Sequence, residues 1–136
     1  NHNLETVERL YPLVRPGGRY ARALELLNRA RAMSPGSFTK SGIIVGMGEE
    51  WDELLVAMRD LRANGVGILT LGQYLRPSAA HLPVARFYRP EEFAELALLG
   101  QAMGFEHVQS SPLTRSSYHA WEQARAARVG ATGEAA

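Results

Sequence analysis

Read for hydrophobic periodicity, the chain alternates helical stripes with short, wholly apolar runs. Leu4, Val7, Leu10 and Tyr11 recur at helical spacing and predict a short helix over residues 4–13, ended by Pro16-Gly17-Gly18. Tyr20, Ala23, Leu24, Leu27 and Ala30 mark the apolar face of a longer helix over residues 19–33, stopped by Ser34-Pro35-Gly36. Ile43, Ile44 and Val45, set between glycines, read as a strand buried on both faces. Trp51, Leu54, Leu55, Met58 and Leu61 then form one stripe of a helix over residues 50–64. Its acids come first, Arg59 and Arg62 come last, and Gly65 follows, all as the helix dipole and C-cap rules favour. A second apolar strand is predicted over residues 66–71. After a proline-punctuated loop at residues 76–89 comes a helix over 90–103, with Phe93, Leu96, Ala97 and Met103 inward. Arg89 precedes Pro90 where Ser or Thr would cap better, a loss of ~1 kcal/mol. A third strand over 105–109, a loop over 110–117, a terminal helix over 118–129 and a disordered tail over 130–136 complete the expectation. Strand, helix and strand on short loops make a βαβ unit, so the strands are expected to be parallel with a right-handed crossover.

Polar residues collect where these strands end. Asn1, His2 and Asn3 precede a helix and would close a preceding strand; Glu49 follows the first predicted strand and Gln73 the second. In an α/β barrel such positions share the active-site rim. Each also has a plainer reading: Asn3 as an N-cap, Glu49 as a first-turn acid, Gln73 as a solvated loop residue. Gly46 and Gly48 remove side chains at the strand end, where backbone turns sharply or meets a ligand.

Composition narrows this little. The 136 residues are 46% hydrophobic and 21% charged, ordinary for one globular domain or part of one. A net charge of +1 without a basic stripe gives no reason to expect nucleic acid, and no apolar run reaches membrane-spanning length. With no cysteine there is no disulfide framework and no thiolate site, which favours the cytoplasm. His81 and His107 are isolated, so a protein-only zinc site is not expected, and Ser116 and Ser117 lack the glycine elbow of a hydrolase. The chain opens on Asn1 rather than Met, and we expect a C-terminal part of a longer protein.

Gly42-x-Ile44-x-Gly46-x-x-Glu49 resembles the GxIxGxxE motif of radical S-adenosylmethionine enzymes, whose strand lines the adenine pocket. Together with the opening Asn1-His2-Asn3-Leu4-Glu5-Thr6-Val7, the segment Gly72-Gln73-Tyr74-Leu75-Arg76-Pro77-Ser78 and the closing Arg115-Ser116-Ser117-Tyr118, it resembles lipoyl synthase to about residue 128.

The resemblance implies an α/β fold: the C-terminal part of a partial (β/α)6 barrel over residues 1–109, a C-terminal extension over 110–128, and a tail over 129–136. It implies insertion of two sulfurs into an octanoyl chain on a lysine of a carrier protein or lipoyl domain. S-adenosylmethionine and two 4Fe-4S clusters would be the cofactors, and a cluster-supply protein a further partner. Asn1, Asn3 and Glu5 would match the motif at the ribose and methionine end of S-adenosylmethionine. Gly42, Ile44, Gly46 and Glu49 would match the adenine side, with Gln73, Tyr74 and Leu75 beside it, and Lys40 would pair with the methionyl carboxylate. Ser117 would be the serine ligand to the auxiliary cluster, with Arg115 against that cluster or the substrate. Family members hold their clusters through two cysteine triplets, CxxxCxxC and CxxxxCxxxxxC, and neither occurs in this chain. A parallel sheet covered on one side does not close a barrel, so the isolated chain is expected to aggregate or fold loosely. The other reading of a cysteine-free chain is a stand-alone module that binds a nucleotide or carrier protein without catalysis.

Overall fold

A computed structural model of the chain describes residues 2–114. Their elements run from a 3-10 turn at Glu8–Leu10 through α1 (Tyr11–Val14), α2 (Tyr20–Met33), β1 (Lys40–Val45) and α3 (Trp51–Ala63) to β2 (Ile68–Gln73), α4 (Pro90–Ala102) and β3 (His107–Ser110). The three strands form one parallel sheet in the order β1-β2-β3, with Lys40 opposite Ile68 and Ile68 opposite His107. Parallel neighbours need a crossover, and α3 and α4 supply both. The α/β class expected from the sequence is the class observed.

Two strands are shifted from expectation. β2 begins at Ile68 because Val66 still belongs to the end of α3: its N–H donates to the Leu61 carbonyl at 3.1 Å. β2 then runs on through Gly72 and Gln73, so the polar segment expected to follow the strand is partly inside it. β3 likewise starts two residues late, at His107.

The larger correction is at the start of the chain, where helix begins only at Glu8. Residues 2–5 run beside the free edge of β1, where His2 N–H donates to the Lys40 carbonyl at 3.3 Å. Glu5 N–H donates to the Gly42 carbonyl at 3.0 Å and Ile44 N–H donates to the Glu5 carbonyl at 2.9 Å, a parallel bridge. Leu4 and Val7 bury as completely in this form as in a helix, and the β1 edge satisfies the backbone. Asn3 is therefore not a helix cap; the Leu4 N–H donates to Ser41 Oγ instead, at 3.0 Å.

Alternation sends Ile43, Val45, Leu69 and Leu71 into one buried cluster with Leu54, Met58 and Leu61 of α3 and Phe93 and Leu96 of α4. Trp51 and Leu55 sit at its margin, only partly buried. Tyr20, Ala23 and Leu27 bury α2 as expected, but its last turn leaves the core: Ala30 is exposed and Met33 is 83% exposed. The weak cap at Arg89 is partly offset, because Glu92 Oε1 accepts the Arg89 N–H at 2.9 Å. No helix among the described residues is long and apolar enough to cross a membrane.

Candidate functional site

The other face of the sheet carries Lys40, Gly42 and Ile44 from β1, Ile68, Thr70 and Gly72 from β2, and His107 and Gln109 from β3. Small and polar residues replace the apolar ladder of the helix side. A cavity of about 270 Å³ opens over them at the carboxyl ends of β1 and β2. Its wall is Asn3, Glu5, Gly42, Ile43, Ile44, Thr70, Gly72, Gln73, Tyr74, Leu75, Pro77 and Thr114.

Two glycines make the floor possible. A Cβ on Gly42 would stand 2.5 Å from Thr70 Oγ1 and 3.2 Å from Asn3 Oδ1. One on Gly72 would collide with the Thr114 carbonyl oxygen, because residues 111–114 fold back over the end of β2, where Ser111 N–H donates to the Leu71 carbonyl at 3.2 Å. Asn3 Oδ1 is buried at the floor without a hydrogen-bond partner, an acceptor available to a ligand's donor. Glu5, also on the wall, is held at a φ of 78°, a left-handed conformation uncommon for a side-chain-bearing residue.

The long loop after β2 is a strap tied down along its length. Tyr74 N–H donates to the Val45 carbonyl and Ala85 N–H to the Gly46 carbonyl, each at 2.8 Å. Gln73 uses its whole amide: Nε2 donates to the Tyr74 and Arg86 carbonyls at 3.1 and 3.0 Å, and Oε1 accepts Tyr88 N–H at 2.9 Å. Tyr74 Oη donates to the Leu82 carbonyl at 2.7 Å, and Arg76 caps the Ala79 and His81 carbonyls. Gly46 has to be glycine here: its φ is 101°, and a Cβ would meet the Gln73 amide and the Arg86 carbonyl.

Glu49 serves this clamp. Its carboxylate accepts Gly46 N–H at 2.9 Å and Met47 N–H at 3.0 Å, fixing the glycine turn, and accepts the Tyr88 hydroxyl at 2.5 Å. Burial and the Glu49 carboxylate raise the Tyr88 pKa, so the phenol keeps its proton and donates. Arg86 lies 3.7 Å from the Tyr88 ring centre.

Of the residues singled out from the sequence, Asn3, Glu5, Gly42, Ile44, Gln73, Tyr74 and Leu75 meet on this one wall. Gly46 and Glu49 brace it from behind. Lys40 is buried in the row Lys40-Ile68-His107 at the opposite ends of the strands and is not on the wall. Burial lowers its pKa, and burial together with the Lys40 charge lowers that of His107. Asn1, Arg115 and Ser117, the terminal helix and the tail lie outside the described residues. Sequence reasoning passed over Thr70 and Thr114; Thr70 was findable, since it shares the strand face of Gly72.

Apolar Ile44, Leu75 and Pro77 with polar Asn3, Glu5 and Thr70 suit a small ligand having a flat apolar part and hydrogen-bonding edges, as a nucleoside has. The residues do not fit an iron-sulfur cluster held by thiolates: the chain has no cysteine, and among the described residues no three metal-ligating side chains come together.

Parallel strands joined by helices, with the cavity at their carboxyl ends, make this a segment of an α/β protein built on the barrel plan. The chain is 59% identical over 133 residues to the lipoyl synthase of Rubrobacter xylanophilus, covering 98% of this chain and 41% of that protein. It is 58% identical to the lipoyl synthase of Bacillus cytotoxicus, over 94% of this chain and 43% of that one, and 55% identical to one from Bacillus cereus, over 98% and 45%. No family model matches the chain. The chain belongs to the lipoyl synthase family and spans less than half the length of the curated relatives it matches.

Proposed function

We propose that this chain is the C-terminal half of a lipoyl synthase, and that its cavity holds the nucleoside part of S-adenosylmethionine while sulfur is inserted into an octanoyl group on a carrier lysine. One observation carries the reading: three separate stretches of sequence that resemble the family's motifs contribute to the same cavity wall. Bound S-adenosylmethionine and the clusters would supply the radical and the sulfur. The residues of this chain bind and orient. Ile44, Leu75 and Pro77 offer an apolar slot for a purine, and Asn3 Oδ1 offers a buried acceptor to a nucleoside amine or hydroxyl. The clamp through Gln73, Glu49 and Tyr88 holds the slot's outer wall without being part of the chemistry.

Ser117, by resemblance, would ligate the auxiliary cluster. An alkoxide is harder than a thiolate and releases iron more readily when a cluster is dismantled. Ser117→Cys in the full-length enzyme is expected to retain the cluster's absorption and suppress lipoyl formation; undiminished turnover would remove the role.

The absence of cysteine favours a second reading, a nucleotide- or carrier-binding module without catalysis. The coding sequence upstream of Asn1 separates the two. In-frame cysteine triplets, followed by lipoyl formation on an octanoylated carrier by the full-length protein, support the enzyme; a start codon and no cysteines support the module.

A further inference from the structure

Between Ile68 and Leu71 the apolar run of β2 is broken once, by Thr70, which is only 3% exposed. Valine has nearly the same shape and would fill such a site without burying a hydroxyl. Register sets Thr70 directly opposite Gly42, and the missing side chain there leaves a notch. The position a Cβ would take lies 2.5 Å from Thr70 Oγ1 and 3.2 Å from Asn3 Oδ1. The two oxygens border one space without using each other. Asn3 Oδ1 has no hydrogen-bond partner, and among the described residues the Thr70 hydroxyl makes no hydrogen bond. All three residues line the cavity.

We propose that Thr70 is a specificity-determining residue of this cavity, reading together with Asn3 a single sugar hydroxyl of the nucleoside ligand. The inference rests on the nucleoside reading given under the proposed function and adds to it the group that is recognised. Asn3 Oδ1 can only accept a hydrogen bond, whereas the Thr70 hydroxyl can donate one. A ligand hydroxyl in the notch completes both: it donates to Asn3 Oδ1 and accepts from Thr70 Oγ1. A base amine donates only, so it would leave the Thr70 proton unused. A buried polar pair of this kind discriminates strongly, because a ligand lacking the hydroxyl leaves both protein groups desolvated and unpaired. Gly42 belongs to the same device, since a side chain there would fill the notch. Strand pairing holds Thr70 opposite Gly42, so the notch has its shape before a ligand arrives.

The test measures binding to the full-length enzyme by calorimetry, comparing wild type with Thr70→Val and Thr70→Ser. The probes are S-adenosylhomocysteine, its 2′-deoxy and 3′-deoxy analogues, and S-inosylhomocysteine, which lacks the base amine. Thr70→Val is expected to weaken S-adenosylhomocysteine and S-inosylhomocysteine alike, by about tenfold. It should leave the affinity for one of the two deoxy analogues unchanged, that analogue having already lost the hydroxyl that Thr70 reads. The unchanged affinity also shows that the variant is folded. Thr70→Ser is expected to recover most of the loss. Undiminished S-adenosylhomocysteine binding by Thr70→Val, or an equal loss on every probe, would overturn the inference and leave Thr70 a packing residue. A loss absent only with S-inosylhomocysteine would overturn it too, giving the notch to the base. Wild type that binds none of the probes would instead defeat the nucleoside reading itself, and this inference with it.

Discussion

Along β1 and β2, Ile43, Val45, Leu69 and Leu71 face the helices, while Gly42, Ile44, Thr70 and Gly72 face the cavity. The first set is buried to 2% exposure or less, and its chemistry is uniform. Any apolar side chain of similar volume would serve there. The second set is heterogeneous and place-specific. Gly42 is dictated by Thr70 and Asn3, and Gly72 by the Thr114 carbonyl, so each residue is fixed by particular neighbours. One face therefore makes the sheet stable, and the other spends that stability on an opening.

Substitutions on the two faces should accordingly separate stability from binding. The largest loss of stability is expected from Leu69→Ala, which empties a fully buried site and costs ~2–5 kcal/mol, whereas Leu69→Met costs less than ~1.5 kcal/mol. Thermal melts of the full-length protein check both. On the opposite face, Gly42→Val puts side-chain carbons where Thr70 and Asn3 already stand. Overpacking should cost ~1–3 kcal/mol, but affinity for S-adenosylhomocysteine should fall at least about tenfold by calorimetry. Wild-type affinity in this variant would remove the cavity from consideration as the nucleoside site. Gln73→Ala strands the Arg86 carbonyl and the Tyr88 N–H, at ~1–3 kcal/mol. The effect should appear as faster hydrogen exchange in residues 74–89 with β1 unchanged.

The smallest effect is on acid stability. The Arg86 guanidinium, bound to both carboxylate oxygens, holds Glu92 down to about 2 from the ordinary 4.5. A lowered carboxylate pKa stabilises the fold above 4.5, and that contribution is lost as pH falls from 4.5 to about 2. Glu92→Gln should flatten melting temperature across that interval. If the slope is unchanged, the pair contributes nothing measurable.

The helix-facing half of the molecule was legible in the sequence because periodicity reports burial directly: the stripe of α3 and the apolar runs of β1 and β2 follow from spacing. The segment at Leu4 was misread because Leu4 continues the helical spacing of Val7 and Leu10, and only the pairing of Glu5 with the β1 backbone holds the first residues out of the helix. On the cavity side, the stretches marked by motif resemblance meet at one wall, but the resemblance does not distinguish the roles of their residues. Glu49 looks like a ligand-facing acid in sequence, yet its carboxylate is fully engaged by Gly46, Met47 and Tyr88. Tyr88 lies 39 positions away, and no local pattern connects the two. Thr70 is a single residue in an apolar run, and its meaning depends on register with Gly42.

The Thr114 carbonyl against Gly72 also sets an order of events. A chain grows from its N-terminus at ~5–20 residues per second, and contacts distant in sequence wait for both partners. α3 can pack on β1 and β2 well before residue 114 has been made. The cavity's wall draws on residues as far apart as Asn3 and Thr114, so it is completed only when that late segment folds back over β2. On that order the helix face of the sheet can be covered before its mouth is finished, and the pocket is complete only at the end.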